Sequence, residues 1–183
     1  MESRAKAFGH PIHPVLIVFP LGLLATAVVF DILYLVFNNQ TFATVSYWMI
    51  AAGIIGGLLA AVFGLIDWLA LPGGTRAKSV GLLHGLGNFV VVLLFAGSWL
   101  IRNGDPENLP NTLALILSFA GAGLSLLTGW LGGELVYRLD VGVDRGAHLD
   151  APSSLSNSPA SADAGNRRGE FIPQTGVHED KDR

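Results

Sequence analysis

The segment Phe8-Gly9-His10-Pro11-Ile12-His13-Pro14, leading directly into the apolar run Val15–Phe37, decides the fold of this chain. A run of that length reads as a membrane span, because about 20 helical residues cross a hydrocarbon core of about 30 Å. Pro14 suits a first helical turn, where the N–H it lacks would have had no partner. Pro20 lies inside the run and is expected to kink the helix, freeing a carbonyl for a neighbour. Ala25-Thr26-Ala27 has the small-x-small look of a signal-peptide cleavage site. The apolar run nevertheless continues about ten residues beyond it, whereas cleavage follows the apolar core, so the run reads as a retained helix.

Three further runs match the first, giving spans at about Pro14–Phe37, Thr44–Leu71, Val80–Ile101 and Asn111–Tyr137. Turn residues divide them: Asn38-Asn39-Gln40, Leu71-Pro72-Gly73-Gly74 and Asn103-Gly104-Asp105-Pro106. Backbone groups cannot stay unpaired in lipid, so such runs must be helical. Composition agrees, with 51% hydrophobic and 14% charged residues against roughly 25% charged in soluble domains. The expected fold is all-α: an integral membrane four-helix transmembrane bundle over residues 14–145, after an N-terminal segment 1–13. A disordered tail is expected over 146–183. It is rich in Ser, Ala, Pro, Asp and Gly and too poor in large apolar groups to offset the entropy of ordering. His148 and His178, in or beside that tail, read as solvent-exposed.

The chain has no cysteine, which excludes disulfides, thiolate metal sites, protein-ligated iron–sulfur clusters and covalently attached c-type haem. The formal net charge is −3 and no basic stripe is present, so the expected partner is the lipid bilayer and no nucleic acid. Arg4 and Lys6 precede the first span, Arg76 and Lys78 lie in the second connection, and Arg138 and Arg145 follow the fourth span. The first connection has no Lys or Arg and the third has only Arg102. By the excess of Lys and Arg in cytoplasmic segments, both termini are expected in the cytoplasm.

Alternating spans bring distant polar residues to one depth. His10 and His13 stand at the cytoplasmic mouth of the first helix. Asp67 and Glu134 come near the ends of the second and fourth, and His84 near the start of the third. Asp31 lies about 27 Å further along the first helix, at 1.5 Å per residue, and belongs to the opposite end. Gly81, His84, Gly85 and Asn88 share one helical stripe, and Gly57, Ala61, Gly64 and Asp67 a second. Leu126, Gly129, Gly133 and Glu134 make a looser third. Glycines four apart (Gly53/Gly57, Gly81/Gly85, Gly129/Gly133) let helices approach closely and point the polar groups inward. Ionisable groups inside a membrane mark function by default. The plainer readings are interfacial carboxylates paired with Arg76, Lys78 or Arg138, a headgroup-level histidine, and an aromatic belt of Trp48, Trp68, Trp99 and Trp130. A weak internal repeat is also visible. His13 followed by Asp67 is echoed by His84 followed by Glu134, which would set two histidines and two carboxylates around a pseudo-two-fold axis.

The opening Gly9-His10-Pro11-Ile12-His13-Pro14, with Leu16, Phe19-Pro20 and Gly22-Leu23, and the closing Gly132-Gly133-Glu134-Leu135-Val136-Tyr137-Arg138 through Val141-Gly142-Val143, carry a resemblance. Over about residues 5–145 the chain resembles an uncharacterised bacterial family of four-helix predicted membrane proteins, domain of unknown function 2231. The resemblance implies a bacterial inner membrane, and company with Rieske-type or cytochrome-type redox domains. Family members carry His where this chain has Glu134, and Arg-His-Gly where it has Arg138-Leu139-Asp140, so a four-histidine site is not implied here.

Three function classes compete. The first is a membrane redox or metal-binding module with a redox partner protein. In its preferred haem b form, His84 and either His13 or His10 are axial ligands, and Arg76, Lys78 and Arg138 hold the propionates. In its non-haem form, His10, His13, His84, Asp67 and Glu134 bind Zn²⁺ or Fe²⁺. The second class is a metal-dependent membrane hydrolase, in which three His and an Asp would hold Zn²⁺ and Glu134 would be the general base; no nucleophile motif supports it and no substrate is implied. The third is a cofactor-free structural or assembly subunit. A homo-oligomer is compatible with all three. Of the paired histidines, His13 is expected to be the inward ligand.

Overall fold

Pro20 acts one turn before its own position. Lacking an N–H, it cannot bond the carbonyl of Leu16. In the computed structural model the first span accordingly divides into α1 (Ile12–Leu16) and α2 (Val18–Phe37). Ile17 joins them: its N–H bonds His13 O, and Leu21 N–H bonds Ile17 O, so the path continues across the break. The structure describes residues 1–156 and 158–162. Three longer helices complete the bundle, α3 (Gln40–Ala70), α4 (Arg76–Asn103) and α5 (Thr112–Tyr137).

Each of these starts on a side-chain cap that satisfies an orphan amide: Asn39 accepts from Thr41 N, Thr75 from Lys78 N and Asn111 from Ala114 N. The caps explain why α3 and α4 begin about one turn before the expected Thr44 and Val80. Capping, not apolarity, sets where a helix starts. Asn38 closes α2 in the left-handed conformation (φ 48°).

All four spans are long and apolar enough to cross a membrane. The bundle is polar inside and apolar outside. Asp31, Ser46, Ser98, Arg102 and Ser118 are wholly buried, while Phe19, Val29, Leu59, Leu100 and Leu127 are exposed. A protein surrounded by water would do the reverse, so this is an integral membrane protein in contact with lipid. The apolar centre is small: Leu24, Ala27, Ile50, Val91 and Phe95. Helices close on it over glycine, since a Cβ at Gly53 would strike Leu24 and one at Gly121 would strike Phe95.

Before α1 the chain forms a two-stranded ribbon that the sequence reading did not anticipate, β1 (Lys6–Ala7) and β2 (His10–Pro11). Phe8 and Gly9 turn between them with φ of 52° and 81°, values matching the primed turns that join tight hairpins. Two-residue strands are too short to leave a hydrophobic period. Residues Met1–Val143 form one unit and Asp144–Arg183 a second, in which the described residues carry turns and bends. There His148 is half-buried, with Nε2 3.0 Å from Ala162 O, rather than fully exposed. His178 and the stretch 163–183 of the expected disordered tail lie outside the described residues.

Candidate functional site

The two histidines expected to face inward do meet. His13 reaches across to α3, where its Nδ1 lies 2.8 Å from Ala60 O. His84 reaches from α4 to α5, where its Nδ1 lies 2.8 Å from Thr128 O. A carbonyl can only accept, so each Nδ1 is the donor of its bond, and Nε2 is the nitrogen a neutral ring would offer to a ligand. The ring centroids are 6.4 Å apart with planes at 87°. Both rings are half-buried.

Each imidazole rests on a glycine one turn beyond the carbonyl it bonds. A Cβ at Gly64 would come within 2.9 Å of the His13 ring, and one at Gly132 within 3.1 Å of the His84 ring. Asn88, one turn along α4, fixes His84 further. Its Nδ2 donates to His84 O at 2.9 Å, and its Oδ1 accepts from Thr128 Oγ1 at 3.0 Å. That Nδ2 also lies 3.4 and 3.3 Å from the two ring nitrogens, too even a split for an in-line bond to either. Asn88 was legible as a neighbour of His84 on the stripe. The roles of Ala60 and Thr128 were not, because they act through main-chain carbonyls.

The other expected ligands are held elsewhere. The Asp67 carboxylate is wrapped by the N-terminal segment, accepting from Ser3 Oγ at 2.8 Å, Arg4 N at 2.8 Å and Ala5 N at 3.3 Å. Glu134 forms an ion pair with Arg76, and His10 is exposed on β2. Among the described residues no three or more His, Cys, Asp or Glu side chains are grouped to hold a metal ion. Of the expected set His10, His13, His84, Asp67 and Glu134, the structure brings His13 and His84 into contact and gives Asp67 and Glu134 other partners. Stripe spacing put the carboxylates on the helices that hold the rings, but Asp67 is bound by the backbone and serine of residues 3–5 and Glu134 by a neighbouring guanidinium.

Two of the three expected propionate anchors, Arg76, Lys78 and Arg138, are likewise engaged, Arg76 by Glu134 and Lys78 by Trp68. Lys78 Nζ donates to Trp68 O at 2.7 Å and sits 4.0 Å from that ring's centroid. Gly85 and Gly129, expected to make room inside the bundle, are exposed and face open space.

At the opposite end lies a second polar centre that the sequence reading did not assemble. Asp31 and Arg102 are both wholly buried and make a two-point ion pair, Nη1 to Oδ1 at 2.7 Å and Nη2 to Oδ2 at 2.6 Å. Ser46, Ser98 and Ser118 accept the remaining guanidinium bonds at 3.1–3.2 Å. Ser98 Oγ in turn donates to Ala114 O at 2.8 Å. The signal was present: one intramembrane acid and one lone cation, each close to the same ends of their helices.

No curated protein and no solved structure matches the chain. A family model does, described as a predicted membrane protein, DUF2231, and the match runs over residues 9–145. It takes in every membrane helix, both histidines of the pair and the Asp31–Arg102 centre, and it bears out the resemblance carried by the His10–Pro14 opening. The chain belongs to the DUF2231 family of predicted membrane proteins.

Proposed function

We propose that His13 and His84 form a two-imidazole ligand site within the membrane domain, and that the protein is a redox module carrying a b-type haem there. One observation carries the reading: each ring is fixed through Nδ1 to a backbone carbonyl of its own hairpin, which leaves Nε2 as the nitrogen to offer a ligand. Metal-ligating imidazoles are oriented in this way. The two ring centroids lie 6.4 Å apart, near enough for His13 and His84 to be the residues that would hold one group between them.

A b-type haem needs only two protein ligands and, when bound, supplies one-electron transfer at a potential set by the axial imidazoles and their surroundings. The protein's part is to hold both rings. Ala60 and Gly64 seat His13, while Thr128, Gly132 and Asn88 seat His84. A structural Zn²⁺ takes four protein ligands and a non-haem Fe²⁺ at least a third. Asp67, Glu134 and His10 are held apart from the pair, which makes haem the stronger reading and leaves a hydrolase without its base.

The site lies toward the end bearing Arg4, Lys6, Arg76, Lys78 and Arg138. Arg102, in the last turn of α4 at the opposite end, is locked in the buried pair with Asp31. That distribution supports cytoplasmic termini; the bacterial inner membrane and a redox partner protein belong to the same reading. The test is the absorption spectrum of the full-length protein purified from haem-supplied cells. A Soret band of bis-imidazole type is the expected result. No Soret band, and no stoichiometric metal by elemental analysis, would leave a cofactor-free structural subunit.

A further inference from the structure

The contacts just described occur twice. On the first helix of each hairpin, His13 and His84 are 71 positions apart, as are Leu24 and Phe95, and as are Asp31 and Arg102. On the second helices one spacing of 68 relates Ala60 to Thr128, Gly64 to Gly132 and Gly53 to Gly121. Under these two spacings the contacts map onto each other. His13 on Ala60 O becomes His84 on Thr128 O, each at 2.8 Å. The ring against Gly64 becomes the ring against Gly132, and Leu24 against Gly53 becomes Phe95 against Gly121.

Equivalent first-helix residues also meet one another. The two imidazoles adjoin, Leu24 and Phe95 share the buried cluster, and Asp31 binds Arg102. Matching residues touch each other only where a two-fold axis passes between them. The shell of the ion pair obeys the same rule. Ser98, Ser118 and Ser46 are wholly buried, and so are their equivalents Ala27, Ile50 and Ala114. The halves share a shape and differ in polarity, because only the guanidinium, with five N–H groups, needs the hydroxyls.

We infer that the membrane domain is two copies of one helical hairpin, α1–α3 and α4–α5, related by a pseudo-two-fold axis along the bundle, and that Asp31–Arg102 is the on-axis pin positioning His13 opposite His84. Two identical acids on such an axis would repel, so an acid in one copy and a base in the other is the arrangement that closes it. The axis makes His13 and His84 equivalent ligands. That deepens the haem reading and rests on it only for what the histidines bind.

The test uses the full-length chain, whose lack of cysteine makes engineered thiols unique. Phe19 and Val90 are equivalent, as are Leu59 and Leu127, and all four are exposed. Spin labels are placed on Phe19→Cys/Leu127→Cys and, separately, on Leu59→Cys/Val90→Cys, and each cross-hairpin distance is measured by pulsed electron resonance. The two-fold axis predicts the same distance in both; distances that clearly differ overturn the duplication.

Adding Arg102→Ala should broaden or lengthen both distributions, and the exchange Asp31→Arg/Arg102→Asp with Ala27→Ser, Ile50→Ser and Ala114→Ser should narrow them again. If Arg102→Ala does not fold, the neutral pair Asp31→Asn/Arg102→Gln carries the same measurement. Unchanged distributions in the folded unpinned variant overturn the pin. None of these readings involves a ligand, so a missing Soret band with equal distances would defeat the haem assignment alone.

Discussion

The two polar centres of the bundle stand at opposite ends of one axis and treat their hydrogen-bonding capacity differently. At the Asp31–Arg102 end both side chains are wholly buried, and the guanidinium bonds are divided among one carboxylate and three serines. A charge pair satisfied to that degree has nothing left to offer a ligand and is read as structure. At the His13–His84 end the rings are only half-buried, and each hydrogen-bonds a main-chain carbonyl through Nδ1. The first arrangement is a strut, and the second is the one we propose as a site. Intramembrane polarity alone does not separate the two.

The comparison breaks most easily at the saturated end. Asp31→Ala leaves a buried guanidinium without its counter-charge and should cost about 3–5 kcal/mol of stability, read from thermal unfolding in detergent. A loss below about 1 kcal/mol would show that water reaches Arg102 and that the end is not saturated. Next comes Gly64→Ala, whose Cβ would fall 2.9 Å from His13. Overpacking of this kind costs about 1–3 kcal/mol, and haem loading should fall with it. Gly132→Ala, at 3.1 Å from His84, should do the same more weakly. Equal, unimpaired loading in both would mean that the rings are not seated on those glycines.

Smaller still is Asp67→Asn, which weakens the bonds to Ser3, Arg4 and Ala5. It should cost about 1–2 kcal/mol, given that bonds to charged groups are worth about 1.5–3 kcal/mol when buried. Faster proteolysis or amide exchange confined to residues 3–12, with α3 unchanged, is the expected signature. The smallest effect belongs to Arg76→Gln. The Arg76 side chain is 60% exposed in its pair with Glu134, and such a pair contributes less than about 1 kcal/mol. A larger change would give Glu134 a role beyond that ion pair.

The four spans, their turn residues and the inward His13 were legible because lipid forces apolar runs of a fixed length and penalises a misplaced imidazole. Depth was legible only in outline: α4 begins at Arg76, so His84 stands more than two turns inside it, while Asp67 lies beyond the Ala60–Gly64 turn that holds His13. Partnership was not. Whether a carboxylate at a given depth meets a ligand, a guanidinium or a strand's amides depends on contacts such as Ser3 to Asp67, 64 residues apart in sequence. The repeat was glimpsed through His13 and His84 but paired with the wrong companions. Asp67 and Glu134 are 67 positions apart, one short of the spacing of 68 that relates α3 to α5 elsewhere. One helical position is about 100° of rotation, enough to send the two carboxylates to different partners.

The central claim is that His13 and His84 together, without His10, Asp67 or Glu134, hold the redox centre. Its most direct test is the absorption spectrum of the full-length protein from haem-supplied cells, taken for the native chain beside His13→Ala, His84→Ala and His10→Ala. The account predicts a bis-imidazole Soret band in the native chain and in His10→Ala, lost or converted in both His13→Ala and His84→Ala. No Soret band in the native chain, or a band that survives the loss of either His13 or His84, would contradict it.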